Sequence, residues 1–169
     1  MPDLPIFQIL VASLLIFAAA RDIATRLIPD GVSIAIAVTG LSCRATLGWS
    51  EAGLSLAIGG LLFVLLLPLA MRGWLGGGDV KLISAMAVGL APQETWLFIV
   101  ATVFAGGALG LAYILGRHIV PEVRLANGGT VLHRVLAIEA RRIRRRGPLP
   151  YGVAIATGGL VVLYTLAGN

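Results

Sequence analysis

Two aspartates, Asp22 and Asp79, stand at the ends of apolar stretches in which charged side chains are otherwise scarce. A charged group beside hydrocarbon is costly, so such residues are candidates for function. Two carboxyls held close together do not both ionise comfortably, and one stays protonated while the other is a carboxylate. The carboxylate can deprotonate water while its partner polarises a peptide carbonyl. The two residues therefore indicate acid–base hydrolysis with no metal ion or organic cofactor.

Three glycines, Gly76, Gly77 and Gly78, come directly before Asp79. A backbone without side chains lets an extended substrate approach closely, or lets the loop move the carboxyl into position. We therefore expect these glycines to bind substrate, together with Lys81, which either acts on the carboxyl pair or extends towards lipid headgroups. Other roles stay open at this point, since Asp79 could cap a helix and Asp22 could pair with an arginine at a membrane boundary.

The composition requires a membrane around these residues. Of the 169 residues, 58% are hydrophobic and only 12% are charged, and the mean hydropathy is +0.95. A soluble domain has about a quarter charged residues, which excludes an ordinary soluble globule or a disordered chain. The single cysteine, Cys43, excludes an internal disulfide framework and a zinc site of the CxxC type. We expect one membrane-embedded domain over residues 1–169.

Six apolar stretches predict an all-α bundle of six transmembrane helices. They cover residues 4–20, 32–47, 54–70, 82–90, 96–115 and 153–167. The fourth is short, and it is plausible as a span over 79–91 only if it is packed inside the bundle. Glycine pairs in the third, fifth and sixth stretches, with Gly110, form small-residue faces suited to close helix packing.

The distribution of Lys and Arg predicts an N-terminus outside the cytoplasm. With six spans in that orientation, 12 of the 13 basic residues lie inside and only Arg44 lies outside. Asp22 and Asp79 then lie at the same cytoplasmic face, although the count used only Lys and Arg. Two carboxyls at one depth on different helices can meet.

The long connection 116–150 combines apolar residues at helical spacing with a dense arginine face. This pattern is typical of a basic helix at the membrane interface, in contact with anionic lipid headgroups. No aromatic residues interleave with the arginines, which disfavours nucleic acid as the partner. The arginines expected to contact lipid are Arg141, Arg142, Arg144, Arg145 and Arg146.

Three segments resemble the prepilin peptidases, or type IV leader peptidases, which are membrane aspartic proteases with a GxGD motif. Residues 76–82, GGGDVKL, resemble the family's second catalytic motif, and Asp22 with residues 26–29 resembles its first. Residues 150–156, PYGVAIA, resemble the segment that opens the family's last helix. The three segments follow the family's order and are spread over most of the chain.

This resemblance implies that Asp22 and Asp79 are the catalytic pair. The expected reaction is removal of a basic leader peptide from a prepilin-like precursor, just before the precursor's own hydrophobic helix, at the cytoplasmic face of the bacterial inner membrane. Larger members carry an additional segment with paired cysteines, associated with N-methylation. This sequence has neither, and it resembles the peptidase-only type that serves Flp or tight-adherence pili. Asp30 stands where the family often has Asn, and we expect it to cap the second helix.

Two other classes of function compete with a peptidase. In a non-enzymatic membrane subunit or small transporter, the two aspartates would bind a proton or cation. The outer half of the predicted bundle offers no acidic relay to complete such a pathway. In a membrane-anchored interaction protein, the arginine helix would carry the function instead, and loss of residues 141–146 would abolish it while Asp79→Asn would not.

Overall fold

The regular elements that the structure describes are all helices, which confirms the predicted all-α class. The computed structural model describes residues 4–119, 138, 140–144 and 149–168. Its long helices are α1 (Leu4–Thr25), α2 (Asp30–Leu47), α3 (Trp49–Met71), α4 (Gly77–Val88), α5 (Pro92–Ile119) and α6 (Tyr151–Ala167). Residues 140–144 of the basic connection are also helical. The rest of the predicted basic helix, including Arg145 and Arg146, lies outside the described residues.

Three of the described helices are long and apolar enough to cross a membrane. These segments are Ile6–Thr25 in α1, Trp49–Met71 in α3 and Pro92–Gly116 in α5, and α6 is apolar but shorter. Helix α4 has 12 residues, a length of roughly 18 Å, which is well short of the ~30 Å hydrocarbon layer. Six spans with an external N-terminus therefore stay a prediction.

Helix α4 lies inside the bundle, as the sequence requires of so short an apolar segment. It packs against α2, α3 and α6, and its Leu82 and Met86 are buried in a core shared with Leu15 of α1, Ile36 of α2 and Ile155 of α6. Helix α1 packs on α6, and α6 is also the main packing partner of α5. The helix that carries Asp79 is thus held on several sides.

Glycines let two pairs of neighbouring helices approach closely. A Cβ on Gly59 of α3 would lie 2.9 Å from the carbonyl oxygen of Ser84 in α4. A Cβ on Gly159 of α6 would lie 2.6 Å from the Leu15 side chain of α1. The backbone contact at Gly59 leaves no space for a side chain, and a side chain at Gly159 would require Leu15 to move. The prediction of close packing is confirmed at these two positions.

A buried polar cluster fastens the end of α4 that lies opposite Asp79. The Arg44 Nε donates a hydrogen bond to the Ser55 Oγ at 2.9 Å, and the Ser55 hydroxyl donates to the Leu90 carbonyl oxygen at 2.9 Å. The Arg44 guanidinium also forms an ion pair with Glu51. Arg44 and Ser55 are both buried. These bonds connect α2, α3 and the turn after α4. They also give the buried Arg44 cation the partners without which its burial would be costly.

Candidate active site

Asp22 lies in the last turn of α1 and contacts the beginning of α6. Its side chain is buried, and its Oδ2 accepts a hydrogen bond from the backbone N–H of Gly152 at 2.8 Å. A Cβ on Gly152 would lie 2.9 Å from both the Cβ and the Oδ2 of Asp22. Only glycine permits this close approach of α6 to Asp22. The hydrogen bond from the Gly152 amide then orients the Asp22 carboxyl.

Asp79 is the third residue of α4 and is also buried. The N-cap position of α4 is occupied by Gly76, so Asp79 is not the N-cap residue, although its carboxyl is hydrogen-bonded to the Gly76 backbone from the third helical position. A Cβ on Gly76 would lie 2.7 Å from the Asp79 Oδ2. Glycine at position 76 therefore gives this carboxyl the space that it occupies.

The two carboxyls line the same pocket, which has a volume of about 480 Å³. The charges of Asp22 and Arg26 and the backbone of Gly76 all act on the Asp79 carboxyl, which is also desolvated by burial. The pocket lies where the C-terminus of α1 meets the N-termini of α4 and α6. Two groups separated by 57 positions in the chain are thus near enough to interact, as the sequence predicts.

Five residues without a predicted site role also line this pocket. They are Gly73, Trp74, Leu75, Leu149 and Tyr151. All five are at least partly exposed, and Trp74 is the most exposed of the large side chains among them. A signal for Tyr151 was available, because it lies in the segment 150–156 that resembles the opening of the family's last helix. The others carry no pattern in the sequence that indicates a site.

Arg26 completes the pocket from the end of α1. Its φ of 57° is in the left-handed region, which costs a non-glycine residue about 1 kcal/mol. This conformation ends α1 four residues after Asp22. The Arg26 Nη2 lies 3.4 Å from the Tyr113 hydroxyl oxygen of α5, so the guanidinium extends from α1 towards α5.

The four predicted substrate-binding residues have different surroundings. Gly76 lines the pocket, a Cβ on Gly77 would meet nothing within 4 Å, and a Cβ on Gly78 would lie 3.1 Å from the Ile28 Cβ. Lys81 lies in a different groove, where its Nζ is 2.7 Å from the Asp30 Oδ1. Only Gly76 of the four is placed beside the two carboxyls.

The prediction that Asp30 caps α2 is wrong. Helix α2 begins at Asp30, Pro29 takes the N-cap position, and no side chain caps the helix. The Asp30 carboxyl instead forms the ion pair with Lys81 of α4. A cation on a neighbouring helix thus competes with the local backbone for the carboxylate, which sequence rules for capping do not consider.

One arginine of the basic connection contacts the helix that carries Asp22. The Arg142 Nη1 donates a hydrogen bond to the Ile23 carbonyl oxygen at 2.8 Å. This carbonyl belongs to the last turn of α1, where acceptors lack partners within the helix. Arg141 and Arg144 are exposed. The described part of the connection is therefore attached to the end of α1 through Arg142.

The described residues include no group of three His, Cys, Asp or Glu side chains that could hold a metal ion. What the structure does show is a helical membrane protein with two buried carboxyls in one pocket. This is the class of protein that the fold and the site define.

Comparison with known proteins identifies the family. Residues 9–111, more than half of the chain, match the type IV leader peptidase family. The chain belongs to this family, as the sequence motifs predict, and it is an integral membrane protein. Over 151 residues, 88% of the chain, it is 27% identical to the prepilin leader peptidase/N-methyltransferase of Bacillus subtilis (strain 168). The chain spans 51% of that relative. No solved structure matches.

Proposed function

We propose that this protein is an aspartic endopeptidase that removes the leader peptide from prepilin-like precursors. The observation that carries the proposal is the pair of buried carboxyls, Asp22 and Asp79, in one pocket. Burial and mutual repulsion favour a state in which the two share one proton. Such a state supplies a base and an acid at the same site. Membership of the leader peptidase family supports this chemistry.

The proposed reaction adds water across one peptide bond. A water molecule between the two carboxyls loses a proton to the ionised one, and its oxygen bonds to the peptide carbon. The protonated carboxyl polarises the peptide oxygen as charge develops there. When the carbon–nitrogen bond breaks, the proton is delivered to the leaving amine. No atom beyond those of water and the substrate is consumed.

The surroundings of each carboxyl are consistent with the proposed reaction. The hydrogen bond from the Gly152 amide holds Asp22 in one orientation, so its position does not depend on substrate. The bare backbone at Gly76 lies beside Asp79 and would admit an extended peptide. We therefore propose that Gly76 binds substrate. The substrate-binding roles of Gly77, Gly78 and Lys81 stay predictions.

We further propose that cleavage takes place at the cytoplasmic face of the inner membrane. The excess of basic residues predicted on that side supports this orientation, and the same rule would retain the basic leader of a precursor there. Exposed Arg141 and Arg144 would contact anionic headgroups, while Arg142 holds α1. We also propose that the activity is that of a peptidase of the Flp type without N-methyl transfer; this proposal rests on the family resemblance and on the single cysteine of the sequence.

Co-expression with a pilin-like precursor that has a basic leader tests the proposal. Asp22→Asn and Asp79→Asn keep the shape of each side chain and remove the titrating proton, so both should accumulate uncut precursor on a gel. The matched control is Glu94→Gln, because Glu94 accepts a backbone hydrogen bond at the start of α5, outside the pocket. N-terminal sequencing of the product defines the cleaved bond. Wild-type cleavage by either aspartate variant would contradict the proposal and favour a subunit or transporter.

A further inference from the structure

A second, apolar groove lies directly beside the pocket of the two carboxyls. It lies between α4, α5 and α6, has a volume of about 430 Å³, and is bordered by Ile83, Val103 and Ile155. We call it the α5 groove. Three residues, Leu75, Leu149 and Tyr151, line both the α5 groove and the carboxyl pocket. The two spaces are therefore adjacent, with these three residues at their common border.

The α5 groove exists because α5 packs mainly on α6 and carries glycines along the side that borders the groove. Sequence patterns assign Gly106, Gly107 and Gly110 to helix packing, but a Cβ on Gly107 would meet nothing within 4 Å. Cβ atoms on Gly106 and Gly110 would be 3.7 and 3.8 Å from their nearest neighbours, which is ordinary contact distance. The fold thus leaves room for side chains at these positions, and their absence deepens the groove.

We propose that the α5 groove binds the beginning of the substrate's hydrophobic helix, directly after the bond that is cleaved. This inference rests on the proposed function. A precursor with its scissile bond between the carboxyls must continue into the membrane, and the apolar groove next to the carboxyl pocket begins at Tyr151. The glycine-lined stretch from Thr102 to Gly110 has nine residues and a rise of roughly 12 Å, or about two helical turns.

The exposure of α5 supports entry from the lipid. Val103 is 67% exposed and Phe104 is 75% exposed, so this side of the apolar helix is not covered by the described parts of the chain. A helix that moves laterally in the bilayer can reach the groove without leaving hydrocarbon. Small residues that let helices approach closely supply much of the affinity between helices in membranes.

A third space, also a groove, does not offer such a route. It has a volume of about 370 Å³, lies between α2, α3 and α4, and includes Gly60 and Lys81. None of the residues that line it also lines the carboxyl pocket. A helix bound there would be separated from the carboxyls by α4. This difference allows a direct comparison of the two grooves by mutation.

Three leucine substitutions compare the grooves. Gly107→Leu fills the α5 groove, Gly60→Leu fills the other groove, and Gly53→Leu lies in neither; at all three positions a new Cβ meets nothing within 4 Å. We expect Gly107→Leu to raise the apparent KM for full-length precursor about tenfold, the effect of losing about 1.4 kcal/mol of binding. The two other variants should stay within about twofold of wild type.

Cross-linking provides a readout that does not require cleavage. In an inactive Asp79→Asn, Cys43→Ser background, Val103→Cys should form a disulfide with cysteines placed one turn apart in the substrate helix. The control, Leu61→Cys, is on α3 and exposed, and it should not react.

Four results would overturn the inference: wild-type cleavage by Gly107→Leu, impairment by Gly60→Leu alone, equal cross-linking at positions 61 and 103, or a Val103→Cys homodimer that excludes substrate. If wild type leaves the precursor uncut, the proposed function fails, and cross-linking still tests the groove.

Discussion

The contact between Gly152 and Asp22 makes a quantitative prediction about the smallest possible substitution, Gly152→Ala. The added methyl group would lie 2.9 Å from the Asp22 Oδ2, about 0.5 Å inside ordinary contact distance. The Asp22 carboxyl is fixed to α6 by the 2.8 Å hydrogen bond from Gly152. Either α6 shifts or the carboxyl rotates, and both changes lengthen this bond.

The expected loss of activity follows from the value of that bond. A hydrogen bond to a charged group contributes about 1.5–3 kcal/mol, and about 1.4 kcal/mol corresponds to a factor of ten in rate. We therefore expect Gly152→Ala to reduce kcat for precursor cleavage by about tenfold to a little over a hundredfold. The assay is the initial rate in detergent or liposomes, normalised to folded protein.

A second glycine in α6 separates this effect from loss of stability. Gly159→Ala places a methyl group 2.6 Å from the end of the Leu15 side chain, away from the carboxyls. It should lower Tm while the rate per folded molecule stays near wild type. The reasoning is refuted if Gly152→Ala cleaves precursor at the wild-type rate, or if the two alanine variants lose activity equally per folded molecule.

Three further predictions concern pH, stability and the basic connection. The rate of cleavage should fall at low pH, when both carboxyls are protonated, and at high pH when both ionise; a profile that is flat over the stable range contradicts a shared proton. Ser55→Ala should reduce the free energy of unfolding by about 1–3 kcal/mol, because Arg44 and the Leu90 carbonyl each lose a buried partner. Thermal melts compare it with Ser13→Ala, whose hydroxyl is bonded only within its own helix turn, and equal melting temperatures would be inconsistent with the cluster. Arg142→Met should slow cleavage about fivefold through loss of the bond to Ile23, whereas exposed Arg141→Met should not; equal rates for the two variants would remove Arg142 from the account.

That Asp22 and Asp79 lie close together was predictable because the predicted membrane topology gives the depth of each residue in the bilayer. Counting basic residues places both aspartates at one face, and a bundle brings helix ends at one face together. The short, buried α4 was predictable for a similar reason, since an apolar segment of that length cannot span alone. These predictions depend on composition over long windows.

The contacts that complete the site depend on single distances between remote residues. Nothing in the sequence near Asp22 indicates Gly152, which lies 130 positions away, and the glycines of α5 have the same pattern whether they face a helix or a groove. Capping rules predicted that the Asp30 carboxylate bonds to the backbone of its own helix. In the structure it forms an ion pair with Lys81 of α4 instead. Local rules therefore fail where a partner from another helix competes.

A double-mutant cycle for Asp22→Asn and Asp79→Asn tests the central claim most directly. Cleavage of a reconstituted precursor is measured for wild type, both single variants and the double variant, with folding of each verified in the membrane. If the two carboxyls act as one unit, each single variant loses nearly all activity and the double variant loses no more. If either single variant keeps the wild-type rate, or if the two losses multiply as for independent sites, the shared-proton mechanism is contradicted.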